Sequence, residues 1–542
     1  MLIQKYKDFL RLVIYQIYPR SFKDTNGDGI GDLPGIIEKL DYIKSLGANA
    51  IWLCPCYKSP NDDNGYDIAD YRDIMDEFGT MDDMKRLIAE MHARDMKLIM
   101  DLVPNHTSIA HVWFQESRKG RDNPCSDFYY WFDEPPNDWE SCFRGSAWAF
   151  DEMRGQYYLH SYAITQADLN WNNPAVVKAM QDVVDFWVDM GVDGFRVDVI
   201  DQISKDFETG RNCFGPRLHE FIHALFGREK TAHLFTVGEC WVDDIEEMRR
   251  HCAAERNELS TLFQFDHMEC GRTEKFTPKE DSLRTVRDVL IRWQENTAEY
   301  DLLQSLFSDN HDQPPLISRA ADDGEKRYES ATCLAAMFYL LKGVPFIYQG
   351  QEFGLTAAHY DSIDCFDDIE SINTYAELCQ SMSAVAALEK INFGSRDNAR
   401  RPMAWNAGQG GGFSDAEPWI SLHSRQSKIN LENDMMSERS VFRFYQKLLK
   451  LRREQDAFLD GSFEVISGPE EECFIFTRTL GQEQWAVVCN FAQETVIELP
   501  FDGEVVLSNL GRIDVSGIYQ EYECAVIRVH YVTCYNYLQV FR

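Results

Sequence analysis

The chain has no apolar run of about 18 residues, so nothing in it reads as a membrane-spanning helix. Residues 1–19 mix Lys5, Lys7, Asp8 and Arg11 among apolar side chains without a small-residue cleavage site, which excludes a secretory signal. Positive charge is scarce: 54 Lys and Arg stand against 89 Asp and Glu, a net charge of −35. A field of that sign repels phosphate backbones and anionic lipid, so neither nucleic acid nor membrane is an expected partner. The 15 cysteines are an odd number spread over 542 residues without dense even spacing, which excludes a disulfide scaffold and fits a reducing, cytoplasmic setting. No low-complexity segment occurs, and 44% hydrophobic with 13% aromatic residues is enough to build a large core.

Apolar runs of strand length alternate with helix-period segments over most of the chain. Strands are predicted at 13–18, 48–53, 97–103, 194–199, 234–239, 261–265, 303–308 and 344–348. Amphipathic segments at 33–46, 81–94, 176–190, 283–295 and 328–341 are long enough for crossover helices, and eight such units predict a (β/α)8 TIM barrel. The barrel is expected over residues 1–104 and 172–458. It is interrupted by an inserted subdomain at 105–171, rich in Trp, Tyr, Phe and Asp, over its C-terminal rim. Short alternating strands from 459 to 542 predict an antiparallel β-sandwich module. Gly408–Gly412 reads as a mobile loop.

The strand Gly194-Phe195-Arg196-Val197-Asp198-Val199 puts Arg196 and Asp198 on one face, since side chains two apart along a strand point the same way. A structural ion pair would use the same spacing. Other strand ends bring further acids and histidines to the same rim: Asp101 to His106, Val237-Gly238-Glu239, and Asn310-His311-Asp312. Several carboxylates in a partly desolvated cleft cannot all ionise cheaply, so one keeps its proton near neutrality. A protonated acid beside an ionised one is what glycosidic bond cleavage requires: one donates a proton to the leaving oxygen while the other attacks the anomeric carbon.

These motifs, with Val13 to Phe22, resemble the α-amylase family of glycoside hydrolases over essentially the whole chain. Gly65-Tyr66-Asp67, Gln166 to Trp171 and Arg396 to Met403 are similar to the group holding oligo-1,6-glucosidases, dextran glucosidases and trehalose-6-phosphate hydrolases. The resemblance implies Asp198 as nucleophile, Glu239 as general acid/base and Asp312 as the residue steadying the transition state through sugar hydroxyls. It implies that Arg196 orients Asp198, that His106 and His311 bond the bound glucose, and that Gln166 belongs to the same substrate-binding set. It implies further that Asp67 and Arg400 pair at a closed pocket end with Tyr66 stacking on the sugar. A closed end makes the enzyme exo-acting on small oligosaccharides such as isomaltose. Val199 goes with α-1,6 preference in the resembling group, although Val also suits a buried strand. Pro315, Gln351 and Trp241 depart from the family pattern on what is read as the leaving-group side; Trp241 resembles the dextran-glucosidase version. Trehalose-6-phosphate hydrolysis needs a basic phosphate pocket, for which Lys205, Arg211 and Arg217 are the nearest candidates, and sucrose isomerisation would use the same triad.

The stretch Asp24 to Asp32 spaces oxygen ligands two apart, but position twelve is Gly35 and not the Glu an EF-hand requires. In the resembling group this loop binds a structural Ca2+, or Mg2+ in its place, through Asp24, Asn26, Asp28, Asp32 and the carbonyl of Ile30. No organic cofactor is expected, and the oligomeric state is not encoded. His219-Glu220-Phe221-Ile222-His223 matches the H-E-x-x-H zinc motif. Leu218, Phe221, Ile222 and Leu225 form that segment's apolar stripe, so both histidines are expected on its edges, away from the barrel mouth.

Overall fold

A computed structural model describes residues 4–530. Residues 531–542 of the predicted C-terminal module, and residues 1–3, lie outside the described residues. Eight parallel strands form one sheet: β1 (Ile14–Ile17), β2 (Ala50–Leu53), β3 (Lys97–Leu102), β4 (Gly194–Val197), β5 (Phe235–Gly238), β6 (Thr261–Leu262), β7 (Ser305–Leu306) and β8 (Val344–Tyr348). Each lies within its predicted segment. Their lateral order is β6-β5-β4-β3-β2-β1-β8-β7, a nearly closed barrel. Between β6 and β7 the closure is made by hydroxyls: Thr261 Oγ1 donates to the Leu303 carbonyl at 2.5 Å and Ser305 Oγ to the Leu262 carbonyl at 2.8 Å.

The strands are apolar because both faces are covered, by the packed barrel interior and by the outer helices. The crossover helices include α1 (Met81–His92), α2 (Pro174–Met190), α3 (Leu218–Phe226), α4 (Ile245–Cys252), α5 (Leu283–Glu299) and α6 (Arg327–Tyr339). Thr80 and Asp83 cap α1 reciprocally, and Asn173 with Pro174 starts α2, while Gly191 in the left-handed region ends it. The predicted helix at 33–46 is two helices, Leu33–Glu38 and Leu40–Leu46, broken at Lys39.

After β3 the chain leaves the barrel. Trp131–Phe132, Gln156–Leu159 and Trp148–Asp151 form a three-stranded antiparallel sheet over an aromatic cluster of Tyr130, Trp148, Trp139 and Phe207. The excursion is tied at its base, where His106–Ser108 pairs with Gln166–Asp168. After β8 a second excursion carries the helices Ile369–Leu378, Ala384–Gly394 and Asp397–Arg400 back over the same rim. The glycine loop is no loose segment: Gly410 and Gly411 are buried, and the Gly411 carbonyl accepts from Trp405 N at 2.8 Å. A five-stranded antiparallel sheet between Ser462 and Val529 follows.

β4 packs closest to its neighbour at Gly194, where an added Cβ would stand 2.2 Å from the Phe235 carbonyl oxygen. Gly194→Ala should therefore cost about 1–3 kcal/mol and lower kcat/KM by displacing the strand that carries Asp198. Thermal unfolding alongside steady-state kinetics checks this; an unchanged melting temperature would contradict it.

Candidate active site

Strand β4 ends because Val199 takes a left-handed backbone (φ 33°, ψ 49°), a costly conformation for a β-branched residue. The turn lifts Asp198 out of the barrel, with its N–H bonded to the Leu102 carbonyl at 2.8 Å. One strand over, Glu239 leaves β5 with its N–H on the Val197 carbonyl at 2.8 Å. Between them lies Arg196, buried on the face it shares with Asp198. Its Nη1 donates to Asp198 Oδ1 at 2.6 Å and to Asp101 Oδ1 at 3.0 Å, and its Nη2 donates to Glu239. The guanidinium also lies over the Trp52 ring, 5.2 Å from its centroid.

Three carboxylates thus surround one cation. Burial pushes the Asp198 carboxyl well up, Arg196 pulls it down, and Glu239 and Asp101 push it up again. The arrangement carries more negative charge than one guanidinium can neutralise, which favours a proton held within the cluster.

These carboxyls open on a cavity of about 340 Å³, at the lower end of the range for ligand pockets. Tyr66, His106, Asp198, Val199, Glu239 and Asp312 line it. Burial holds His106 down to about 4, so it is a neutral imidazole. Burial acts to raise Asp312, but His311, Arg400 and Arg396 outweigh it and keep Asp312 well below the ordinary carboxylate range. Tyr66 donates or accepts at His311 Nε2 (2.6 Å) and reaches Asp101 at 3.1 Å.

Several predicted contact residues stand behind the cavity wall and not on it. Arg196 and His311 are almost fully buried there, His311 with its Nδ1 on Gln16 at 2.9 Å. Gln166 is buried and bridges Asp63 Oδ2 (3.0 Å) and His106 Nε2 (3.2 Å). The predicted Asp67–Arg400 pair does not form. Asp67 is fully buried, turned onto Ser59 Oγ at 2.9 Å and the N–H groups of Asp62 and Asp63 at 3.0 and 3.1 Å. Its oxygens are taken by the loop that it holds. Arg400 bonds Asp312 Oδ1 at 2.7 Å and the His311 carbonyl at 3.0 Å. The acid and base that do line the cavity here are Asp63 and Arg396, 3.7 Å apart, with Arg396 fixed on the buried Asp368 at 2.6 Å. Burial raises Asp63 to about 6. The sequence held a hint in the Asp62-Asp63 pair beside Gly65-Tyr66-Asp67, but which acid turns inward is decided by the loop.

On the opposite side, Trp241 is half exposed and stacked on Phe265, ring centroids 4.5 Å apart. Pro315 and Gln351 do not line the cavity; Gln351 is spent on Ser308, Tyr339 and the Tyr348 N–H. Lys205 is buried on Asp168 at 2.8 Å, Arg217 pairs with Glu220, Arg211 pairs its backbone with that of Asp206, and none of the three lines the cavity. A residue missing from the predicted set does: Asp201, in the turn after Val199, is buried, and burial with the nearby Glu239 charge raises it to about 7.

Away from the cavity, Asp24 accepts from Gly27 N (2.7 Å), Gly29 N (2.9 Å) and Ser414 Oγ (2.5 Å). Asp32 caps the helix Leu33–Glu38 through Gly35 N at 2.7 Å, and Asn26 and the Ile30 N–H both bond Asp28. The H-E-x-x-H pair does not converge: His223 donates to the Arg256 carbonyl at 3.1 Å and Glu220 pairs with Arg217.

Residues 16–461 match the family model described as the α-amylase catalytic domain. The chain is 45% identical to the oligo-1,6-glucosidase of Parageobacillus thermoglucosidasius over 90% of this chain and 91% of that one. It is 41% identical to the glucan 1,6-alpha-glucosidase of Streptococcus pneumoniae, over 91% and 93%. Trehalose-6-phosphate hydrolase from Bacillus licheniformis, solved in complex with PNG, superposes with a TM-score of 0.92 at 39% identity, covering 96% of this chain and all of that one.

Asp201→Asn removes a negative charge beside Glu239 that is present only above about pH 7. That charge favours retention of the proton on the Asp198–Glu239 pair. Without it, the alkaline limb of kcat/KM should move to lower pH by on the order of one unit, with the acid limb unmoved. A pH–rate profile of the variant checks this; superimposable alkaline limbs would contradict it.

Proposed function

The chain belongs to the α-amylase family of glycoside hydrolases, and we propose that it is an exo-acting, retaining α-glucosidase releasing terminal glucose from short α-1,6-linked oligosaccharides such as isomaltose. The observation that carries the reading is the single guanidinium of Arg196 bonded to both Asp198 and Glu239. One bridging group holds both carboxyls on the same wall of the cavity, which supports a nucleophile and a proton donor acting on one bond, as in retaining glycosidases.

In this reading the terminal glucose enters the cavity with its non-reducing end against Asp63 and Arg396, and the closed end sets exo action. Glu239 gives its proton to the glycosidic oxygen as Asp198 attacks the anomeric carbon; the C–O bond to the leaving sugar breaks and a glucosyl ester forms on Asp198. Glu239, now ionised, takes a proton from water, which attacks the same carbon and frees Asp198, so configuration is retained. Asp312, kept anionic by Arg400 and Arg396, and neutral His106 take sugar hydroxyls. Trp241 offers an aromatic platform to the leaving sugar. The two cations lining the cavity, Lys275 and Arg396, are already paired with Glu370 and Asp368, which supports a neutral sugar over a phosphorylated one.

We place the enzyme in the cytoplasm: every described cysteine is a free thiol, with Cys142 and Cys379 at the surface. Among the described residues no helix is long and apolar enough to cross a membrane. We also propose that Asp24, Asn26, Asp28, Asp32 and the Ile30 carbonyl hold a structural Ca2+, or Mg2+. The donors are all hard oxygens, and among the described residues no Lys or Arg pairs with the buried Asp24 or Asp32. A bound ion would neutralise these acids and tie the first crossover loop to the segment around Ser414.

Asp198→Asn should abolish isomaltose hydrolysis by at least about 10³-fold without loss of folding, and the wild-type enzyme should release α-glucose first by NMR; β-glucose as the first product would overturn the retaining assignment. Val199→Ala should raise kcat/KM on maltose relative to isomaltose by up to about tenfold, and an unchanged ratio would make Val199 a packing residue only. Adding Ca2+ to the chelator-stripped chain should raise the melting temperature of the wild type and leave that of Asp24→Asn unmoved.

A further inference from the structure

The H-E-x-x-H segment dissolves as a motif, yet its first histidine meets a second imidazole from the next crossover helix. We propose that His219 on α3, with Glu247 and His251 on α4, forms a binding site for one divalent transition-metal ion of the zinc type. Each of the three offers a ligand atom, and these atoms all lie within 4.8 Å of one another, the one such cluster of three among the described residues. His219 Nε2 stands 3.7 Å from Glu247 Oε1, and His251 Nδ1 stands 3.7 Å from the same oxygen. A tetrahedral zinc ion with ligands at about 2.0–2.1 Å sets its donors roughly 3.4 Å apart, so the two Glu247 contacts need close by only a few tenths of an ångström, and every donor pair starts within 4.8 Å.

The surroundings are arranged as a metal site requires. His219 Nδ1 bonds the buried carboxylate of Glu258 at 2.8 Å, which fixes the proton on Nδ1 and turns the Nε2 lone pair toward Glu247. Glu258 is itself held by Arg256 at 2.6 Å. Arg250 occupies Glu247 Oε2 at 2.9 Å, leaving Oε1 to the histidines. His251 is fully buried and its Nδ1 donates to the Glu247 carbonyl at 2.9 Å, so ligation through Nδ1 exchanges that bond for the ion and moves the ring proton to Nε2. Burial pushes His251 down to about 3, so the imidazole is neutral and ready to ligate. His219 and Glu247 keep roughly a quarter and a fifth of their side chains exposed, which gives an ion a path in and water a fourth position. Two imidazoles and a carboxylate are ligands of intermediate softness, suited to zinc and its neighbours over calcium.

None of the three residues lines the catalytic cavity. The ion would pin α3 to α4, the helices on either side of the strand that delivers Glu239. The test uses the full chain, stripped with chelator, dialysed and titrated with zinc by calorimetry, with cobalt as an optical probe. The wild type should bind one zinc ion and give the visible absorption of tetrahedral cobalt. His219→Asn and Glu247→Gln should each weaken zinc binding by at least about tenfold and lose the cobalt spectrum, with circular dichroism and isomaltose kcat/KM as in the wild type. Asp24→Asn should bind zinc as the wild type does. Absence of stoichiometric zinc binding by the wild type, or undiminished binding by both His219→Asn and Glu247→Gln, would overturn the proposal.

Discussion

The site depends on one buried cation shared among three carboxylates. Arg196 is inaccessible to water, and its fork reaches Asp101, Asp198 and Glu239 from one position on β4. Removing a partner from such a buried cluster typically costs about 3–5 kcal/mol, because the remaining charges are left uncompensated. The same attraction that fixes the geometry also sets the charge balance: one positive charge cannot neutralise three negative ones, and the surplus is met with a proton. Position and protonation, the two things glycosidic cleavage needs, have a common origin.

A second cluster repeats the arrangement with the signs redistributed. Arg396 and Arg400 flank Asp312, and Arg396 is anchored in turn by Asp368, which its guanidinium and Ser371 hold below the ordinary carboxylate range. Here cations outnumber the acid facing the cavity, so Asp312 stays ionised while burial and neighbouring acids push Asp198 up. The opposite behaviour of carboxyls on one cavity wall follows from the number of arginines each one sees.

The barrel was legible because eight apolar runs of strand length are separated by helix-period segments, and a parallel barrel strand is mostly apolar. Asp198, Glu239, Asp312 and His106 could be placed on the cavity because a strand tip fixes which way a side chain points. Loops gave no such rule. Asp67 and Asp63 lie four residues apart in one turn-rich loop, and it is Asp63 that lines the cavity, because Ser59 and two backbone N–H groups claim Asp67. Asp201 was missed because it sits on a 3-10 turn that begins only after Val199 leaves the strand. The partnership of His219 with His251 joins residues from two crossover helices, and no spacing rule within either helix announces it.

The barrel's seam has a consequence for how the ring is completed. Where a hydrogen-bonded ladder would demand that both edges arrive in one register, two rotatable hydroxyls on Thr261 and Ser305 accept a range of offsets. The last strands can thus dock while the connections around them are still settling. Should the wall breathe, it would part first along this line, at the edge of β6, the strand that neighbours the one delivering Glu239.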